Sequence, residues 1–141
     1  MNHYQNAQET ERTAIGLVEI ESYRHSIYMS CLACELYLKS KLHLVPHREE
    51  LERSHDVVNI FVALAFRFKP KQGLLQKVER ARKYFNESRY PYASDTSAYT
   101  KDFAEEFLQI VAEIRTYIDE DCLATLDDLR NKYQGGNPCE P

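Results

Sequence analysis

The segment ARKYFNESRYPYASD, residues 81 to 95, joins a helix-like run to a small, polar stretch through Arg89, Tyr90 and Pro91. Pro91 has no amide hydrogen and disfavours helical geometry in the residue before it, so a helix must end here. An arginine in the last turn complements the helix dipole and the free carbonyls, which accounts for Arg89 without any ligand. The same residues also fit a binding role. The planar fork of Arg89 matches a phosphate, and Tyr90 or Tyr92 offers a face on which a base can stack. Arg82 and Lys83 add positive charge nearby.

Glu35 and Lys39 are spaced four residues apart, which puts them on one helix face. They read either as an exposed ion pair, worth about 0.3–0.5 kcal/mol, or as parts of a pocket. In the second case Glu35 reaches Arg89 across the fold and fixes its rotamer, and Lys39 presents a second cation. His55 precedes Asp56 at the start of a helix. It suits a structural role, capping through its backbone or bonding a loop carbonyl, and as a catalyst it requires a substrate hydroxyl within reach. His25, His43 and His47 form no recognisable spacing and suit surface or interface roles. Cys31 and Cys34 make a lone C-x-x-C inside SIYMSCLACELYLK. No second cysteine pair follows at zinc spacing and no βαβ context surrounds it, so the two thiols read as buried small hydrophobes, with neither metal nor cofactor expected.

Composition restricts the setting. At 141 residues, 43% hydrophobic and 28% charged, the chain is sized for one domain with its own core. The expected division is a helical domain over residues 1–134 and a loose tail over 135–141, where Gly135, Gly136, Pro138 and Pro141 cluster. No apolar run approaches the roughly 20 residues of a membrane span, and the polar, mixed-charge N-terminus is unlike a secretory signal. The expectation is a cytoplasmic protein. The net charge of −4 is unevenly spread. Residues 67 to 90 hold eight basic side chains against two acidic ones, and residues 102 to 128 hold nine acidic side chains against Arg115 alone. These read either as two solvated helix faces that can turn toward each other, or as a local anion site on an acidic protein. An acidic chain is poorly suited to non-specific duplex DNA, which demands many phosphate contacts. It remains compatible with one nucleotide or one RNA strand.

Apolar spacing of three and four residues predicts the elements that must carry these groups. A first helix, about 4 to 20, turns Ala7, Ala14, Leu17 and Val18 inward. Ser22 is a plausible cap for a second, about 23 to 42, with Tyr23, Ile27, Cys31, Cys34, Leu38 and Leu42 as its stripe. HREELERS suits a short helical turn. Ser54 or Asp56 opens a third helix, about 55 to 67, with Val57, Val58, Ile60, Phe61, Leu64 and Phe68. A fourth, about 72 to 88, buries Leu74, Val78, Ala81 and Phe85. A fifth, about 99 to 121, buries Phe103, Phe107, Ile110, Ile114 and Tyr117, and a short sixth is expected around 124 to 133. Amphipathic helices with short connections predict an all-α, up-and-down bundle of four or five helices. The ten tyrosines suit half-buried seams and favour a homodimer over a cofactor pocket.

Three motifs resemble the HEPN domain, the nucleotide-binding domain of higher eukaryotes and prokaryotes. ESYRHSIYMSCLACELYLKSKL resembles the family's alanine-rich run with Glu and Lys four apart, matched by Glu35 and Lys39. SHDVVNIF resembles its His-Asp helix opening, matched by His55 and Asp56. ARKYFNESRYPYASD resembles its helix ending in Arg-Tyr-Pro, matched by Arg89, Tyr90 and Pro91. The motifs follow the family order over residues 14 to 120. The resemblance implies an all-helical, usually dimeric bundle tied to nucleotide binding, RNA cleavage, or toxin–antitoxin and defence systems. Some members partner a nucleotidyltransferase, for which the acidic fifth helix is the expected contact. Ribonuclease members carry Arg, four to six residues, then His late in the bundle. No histidine follows Arg89 at that spacing; the string that matches, Arg48 to His55 with six residues between, lies before the third helix and supplies the catalytic candidates that the resemblance implies. The expectation is therefore a nucleotide- or RNA-phosphate-binding homodimer, with a metal-independent toxin-type ribonuclease and a non-catalytic interaction module as the alternatives.

Overall fold

A computed structural model describes residues 2–89 and 99–122. Its helices are α1 (His3–Glu19), α2 (Tyr23–Lys39), α3 (Arg48–Glu52), α4 (Val57–Ala65), α5 (Leu74–Arg89) and α6 (Lys101–Thr116). A 3-10 turn, Leu42–Leu44, follows α2, and a π-helical turn, Tyr117–Asp121, extends α6. No strand occurs among the described residues. Tyr90, Pro91, Tyr92, the expected sixth helix and the expected tail lie outside them.

Cross-helix contacts set the helix directions. Ser26 Oγ donates to the Ala14 carbonyl and Tyr37 Oη to Glu11, so α1 and α2 run antiparallel. Arg24 donates to the Ser88 carbonyl and Tyr28 stacks on Phe85, which makes α2 and α5 antiparallel. Lys77 meets Glu113 and Tyr84 meets Phe103, so α5 and α6 are antiparallel as well. The up-and-down bundle is thus α1, α2, α5 and α6. Between α2 and α5 the chain makes an excursion through α3 and α4, and α4 packs against α2 and α5.

The α1–α2 connection is a Schellman motif. Ser22 N–H donates to the Leu17 carbonyl and Glu21 N–H to the Val18 carbonyl, with Glu21 left-handed at φ 62°. Ser22 sits at the cap position of α2 as expected. However, its hydroxyl meets His25 Nδ1 at 2.9 Å and makes no bond to a free amide, because the Schellman geometry directs it there. Asp56 does cap α4, accepting from Val58 and Asn59, a bond type worth about 1 kcal/mol.

The expected inner stripes are largely inside. Ile27, Cys31, Cys34, Leu38 and Leu42 are buried, as are Val57, Ile60, Phe61, Leu64 and Phe68, and Phe107, Ile110, Ile114 and Tyr117. Leu17, Val18, Tyr23, Val58, Phe85 and Phe103 are half-buried at the edges. Cys31, Cys34 and Cys122 are free and buried, and burial pushes each thiol's pKa up, that of Cys122 to about 12. Thiols so protonated are packing residues.

Candidate functional site

Glu35 and Lys39 face inward from the last turns of α2. The pair is closed at 3.1 Å and both residues are more than nine-tenths buried. The exposed-pair reading therefore fails: α4 and the loop before it cover this face of α2. A buried ion pair is costly to desolvate unless its remaining valences are filled. Here they are. Lys39 Nζ donates to the Glu52 carbonyl at 2.8 Å, and His55 Nδ1 lies 3.2 Å from Glu35 Oε2. A carboxylate only accepts, so Nδ1 is the donor and Nε2 is the outward-facing nitrogen. The His55 side chain is 76% exposed while its anchor is 5% exposed. His55 is thus held by a side chain, whereas the sequence suggested a backbone cap or a loop carbonyl.

Next to His55, Asp56 spends one oxygen on the α4 amides and turns the other toward Arg82 of α5, 3.6 Å away. On the far side, Lys39 shares the wall of a cavity of about 350 Å³ with His3, His43, Arg48 and Glu52. His3 Nε2 closes on Glu52 Oε1 at 2.7 Å. The structure therefore gathers Glu35, Lys39 and His55 into one cluster and places Arg48 on the neighbouring cavity.

Arg89 does not reach that cluster. The Arg24–Ser88 bond places the end of α5 beside the first turn of α2, and Glu35 lies eleven residues further along α2, roughly 16 Å at the helical rise of 1.5 Å per residue. An arginine side chain cannot span that gap. Glu35 is engaged by Lys39 and His55 instead of Arg89, because α2 and α5 run antiparallel and carry Arg89 to the other end of α2. Arg89 is exposed. With Arg82 and Asn86, also exposed, it forms an i, i+4, i+7 stripe along α5.

The charge asymmetry of the sequence is partly internal. Lys77 pairs with Glu113 at 2.5 Å and Arg80 with Glu106 at 2.8 Å, and Arg80 also lies over the rings of Tyr84, Phe103 and Phe107. One face of α5 is thus neutralised by α6. Those two carboxylates of α6 are taken, which reduces the acidic surface expected to meet a nucleotidyltransferase.

The sequence reading overlooked a second polar group, half-buried around Glu11. Glu11 accepts from Tyr37 Oη at 2.6 Å and from Arg115, and Tyr4 Oη donates to Asp119 at 2.8 Å. Burial and the Glu11 carboxylate raise the Tyr37 pKa, and the hydrogen bond to Glu11 raises that of Arg115. A signal was present: Glu11 falls between Ala7 and Ala14 at i, i+4, i+7, a charge on an otherwise apolar stripe. Lys39 and the Glu52 carbonyl had no such signal, since a backbone acceptor carries no sequence mark.

An all-α antiparallel bundle with a polar cluster under its α3–α4 excursion defines the class: a small helical-bundle domain. The HEPN domain profile matches residues 1–121, and the chain belongs to the HEPN domain family. Among solved structures it is similar to that of TT1696 from Thermus thermophilus, with 25% sequence identity and a TM-score of 0.71, covering 86% of this chain and 99% of that one. No curated protein matches the sequence. Among the described residues no helix is long and apolar enough to cross a membrane.

Proposed function

We propose that this HEPN domain is a cytoplasmic homodimer that binds a phosphate of a nucleotide or of single-stranded RNA, along the exposed stripe of Arg82, Asn86 and Arg89 with His55 at one end. The observation that supports it is the division of α5 into two cationic faces. Lys77 and Arg80 face α6, while Arg82, 3.6 Å from Asp56, and Arg89 occupy exposed positions on the other face, near an imidazole held in place by a buried carboxylate. Arg82 to Arg89 spans about 10 Å of helix, room for more than one phosphate. Tyr90 and Tyr92, the stacking residues of this reading, follow directly in sequence.

Fluorescence polarisation with a labelled single-stranded oligoribonucleotide, and calorimetry with ATP, test the proposal. Arg82→Ala and Arg89→Ala should each weaken binding about tenfold, the scale of one charge-assisted hydrogen bond. Each should also flatten the dependence of log affinity on log salt by about 0.7. Unchanged affinity in both variants overturns it.

One observation favours a second reading, the metal-independent ribonuclease. His55 is exposed, and its Nδ1 is fixed by Glu35, which leaves Nε2 to move a proton. Arg48 lies on the cavity behind Lys39. RNA cleavage that vanishes in His55→Ala and drops in Glu35→Gln supports this reading, and an RNA that remains intact with wild-type protein excludes it.

A further inference from the structure

The cavity beside Lys39 carries chemistry that the α5 stripe does not use. It holds about 350 Å³, near the small end of ligand pockets, about 300–1,000 Å³. His3 of α1, Lys39 of α2, His43 of the 3-10 turn, and Arg48 and Glu52 of α3 line it. The lining is rich in donors and short of acceptors. Lys39 is more than nine-tenths buried. An ammonium has three N–H donors. One goes to Glu35 and one to the Glu52 carbonyl, and the third has no partner among the described residues. Arg48 and His43 are exposed and make no hydrogen bond or ion pair among the described residues. Glu52, the carboxylate among the lining residues, is already closed on His3 Nε2 at 2.7 Å. The first turn of α1 forms part of the wall as well, and the positive end of a helix adds to a field that favours an anion.

We propose that this cavity binds one phosphate group, as the free ion or as the monoester of a small molecule. Lys39 meets it at the buried wall, and Arg48 and His43 close on it from the exposed side. The shape of the donor set selects a phosphate over a carboxylate. A carboxylate offers two oxygens in one plane, whereas a phosphate spreads its oxygens over a tetrahedron. An ammonium, a guanidinium fork and an imidazole that approach from different elements can each take a separate oxygen of that tetrahedron. The size of the cavity sets the class of ester: a small phosphorylated molecule, in place of a polymer laid along a surface. The site shares no residue with the stripe of Arg82, Asn86 and Arg89, so it stands or falls apart from the reading above.

Isothermal titration calorimetry at fixed ionic strength tests it, with inorganic phosphate, glycerol phosphate and acetate as the three probes. Wild-type protein should bind one phosphate per chain saturably and acetate much more weakly. Arg48→Ala should weaken phosphate binding about tenfold, the scale of one charge-assisted hydrogen bond, and His43→Ala should weaken it less. Both side chains are exposed and hold no other group in place, so both variants should fold, which circular dichroism checks. Glycerol phosphate bound more tightly than the free ion identifies a phosphomonoester as the occupant, and the reverse order identifies inorganic phosphate. No saturable binding of either, or an affinity unchanged in both variants, overturns the site. Phosphate binding that weakens in Arg89→Ala and not in Arg48→Ala belongs to the α5 stripe and also overturns it. Acetate bound as tightly as phosphate overturns the phosphate assignment.

Discussion

Two carboxylates in this bundle, Glu35 buried and Glu11 half-buried, are partnered by cations and end in different situations. Glu11 of α1 is bonded between helices: it accepts from Tyr37, which is wholly buried, and from Arg115 of α6. Glu35 of α2 has a buried partner in Lys39, but its other hydrogen bond leads outward to an imidazole that is three-quarters exposed. The first arrangement ties three helices together. The second converts an internal charge into an oriented external nitrogen. What separates them is where the partners come from. Glu11 bonds residues of α2 and α6, whereas Glu35 lies under the α3–α4 excursion, whose edge leaves His55 in water.

If that contrast is sound, the largest effect should come from Lys39→Met, which strands the Glu35 carboxylate in the interior and should cost about 3–5 kcal/mol in urea denaturation. Adding Glu35→Leu should recover most of that loss, because two apolar side chains replace the whole pair. The recovered protein should still bind RNA poorly, since His55 has lost its anchor. Recovery of stability together with binding would show that the cluster only holds the loop.

The next effect distinguishes the two regions directly. Glu11→Ala should cost about 2 kcal/mol, the scale of a lost hydrogen bond to a charged group, since the pair with Arg115 is partly exposed, and should leave RNA affinity intact. His55→Ala should do the opposite, costing less than about 1 kcal/mol while weakening binding. Equal destabilisation by the two would erase the distinction between a closed and an open carboxylate.

The smallest effect at neutral pH belongs to the thiols. Burial raises the pKa values of Cys31, Cys34 and Cys122 above the ordinary value of 9.0, that of Cys122 to about 12. Between those limits the unfolded chain loses these protons and the folded one keeps them, so stability falls as pH rises. Below pH 9 both states are protonated and the contribution is complete and constant. Denaturation midpoints should therefore be flat with respect to these groups from pH 7 to 8.5 and decline from about 9 upward. A midpoint indifferent to pH up to 11 would place the thiols nearer solvent than α2 and α6 allow.

Much of the fold was written locally. Stripes such as Ile27, Cys31, Cys34, Leu38 and Phe107, Ile110, Ile114 repeat at the helical period, and the caps and prolines punctuate them within a few residues, so helices and inner faces follow from short windows of sequence. The candidate site was legible only as a set of members. Glu35, Lys39 and His55 were recognised, yet Glu35 was matched to Arg89, and the Glu11 group was overlooked.

Helical period and chain punctuation make this an all-α bundle with its inward residues already chosen, because those properties depend on neighbours three and four positions apart. Which cation meets which carboxylate depends on helix direction and on where the α3–α4 excursion lands. The α3–α4 excursion set His55 against Glu35, and antiparallel packing of α2 and α5 carried Arg89 to the opposite end. That choice is made by contacts between residues up to about a hundred positions apart, as for Glu11 and Arg115, and only the folded chain contains them.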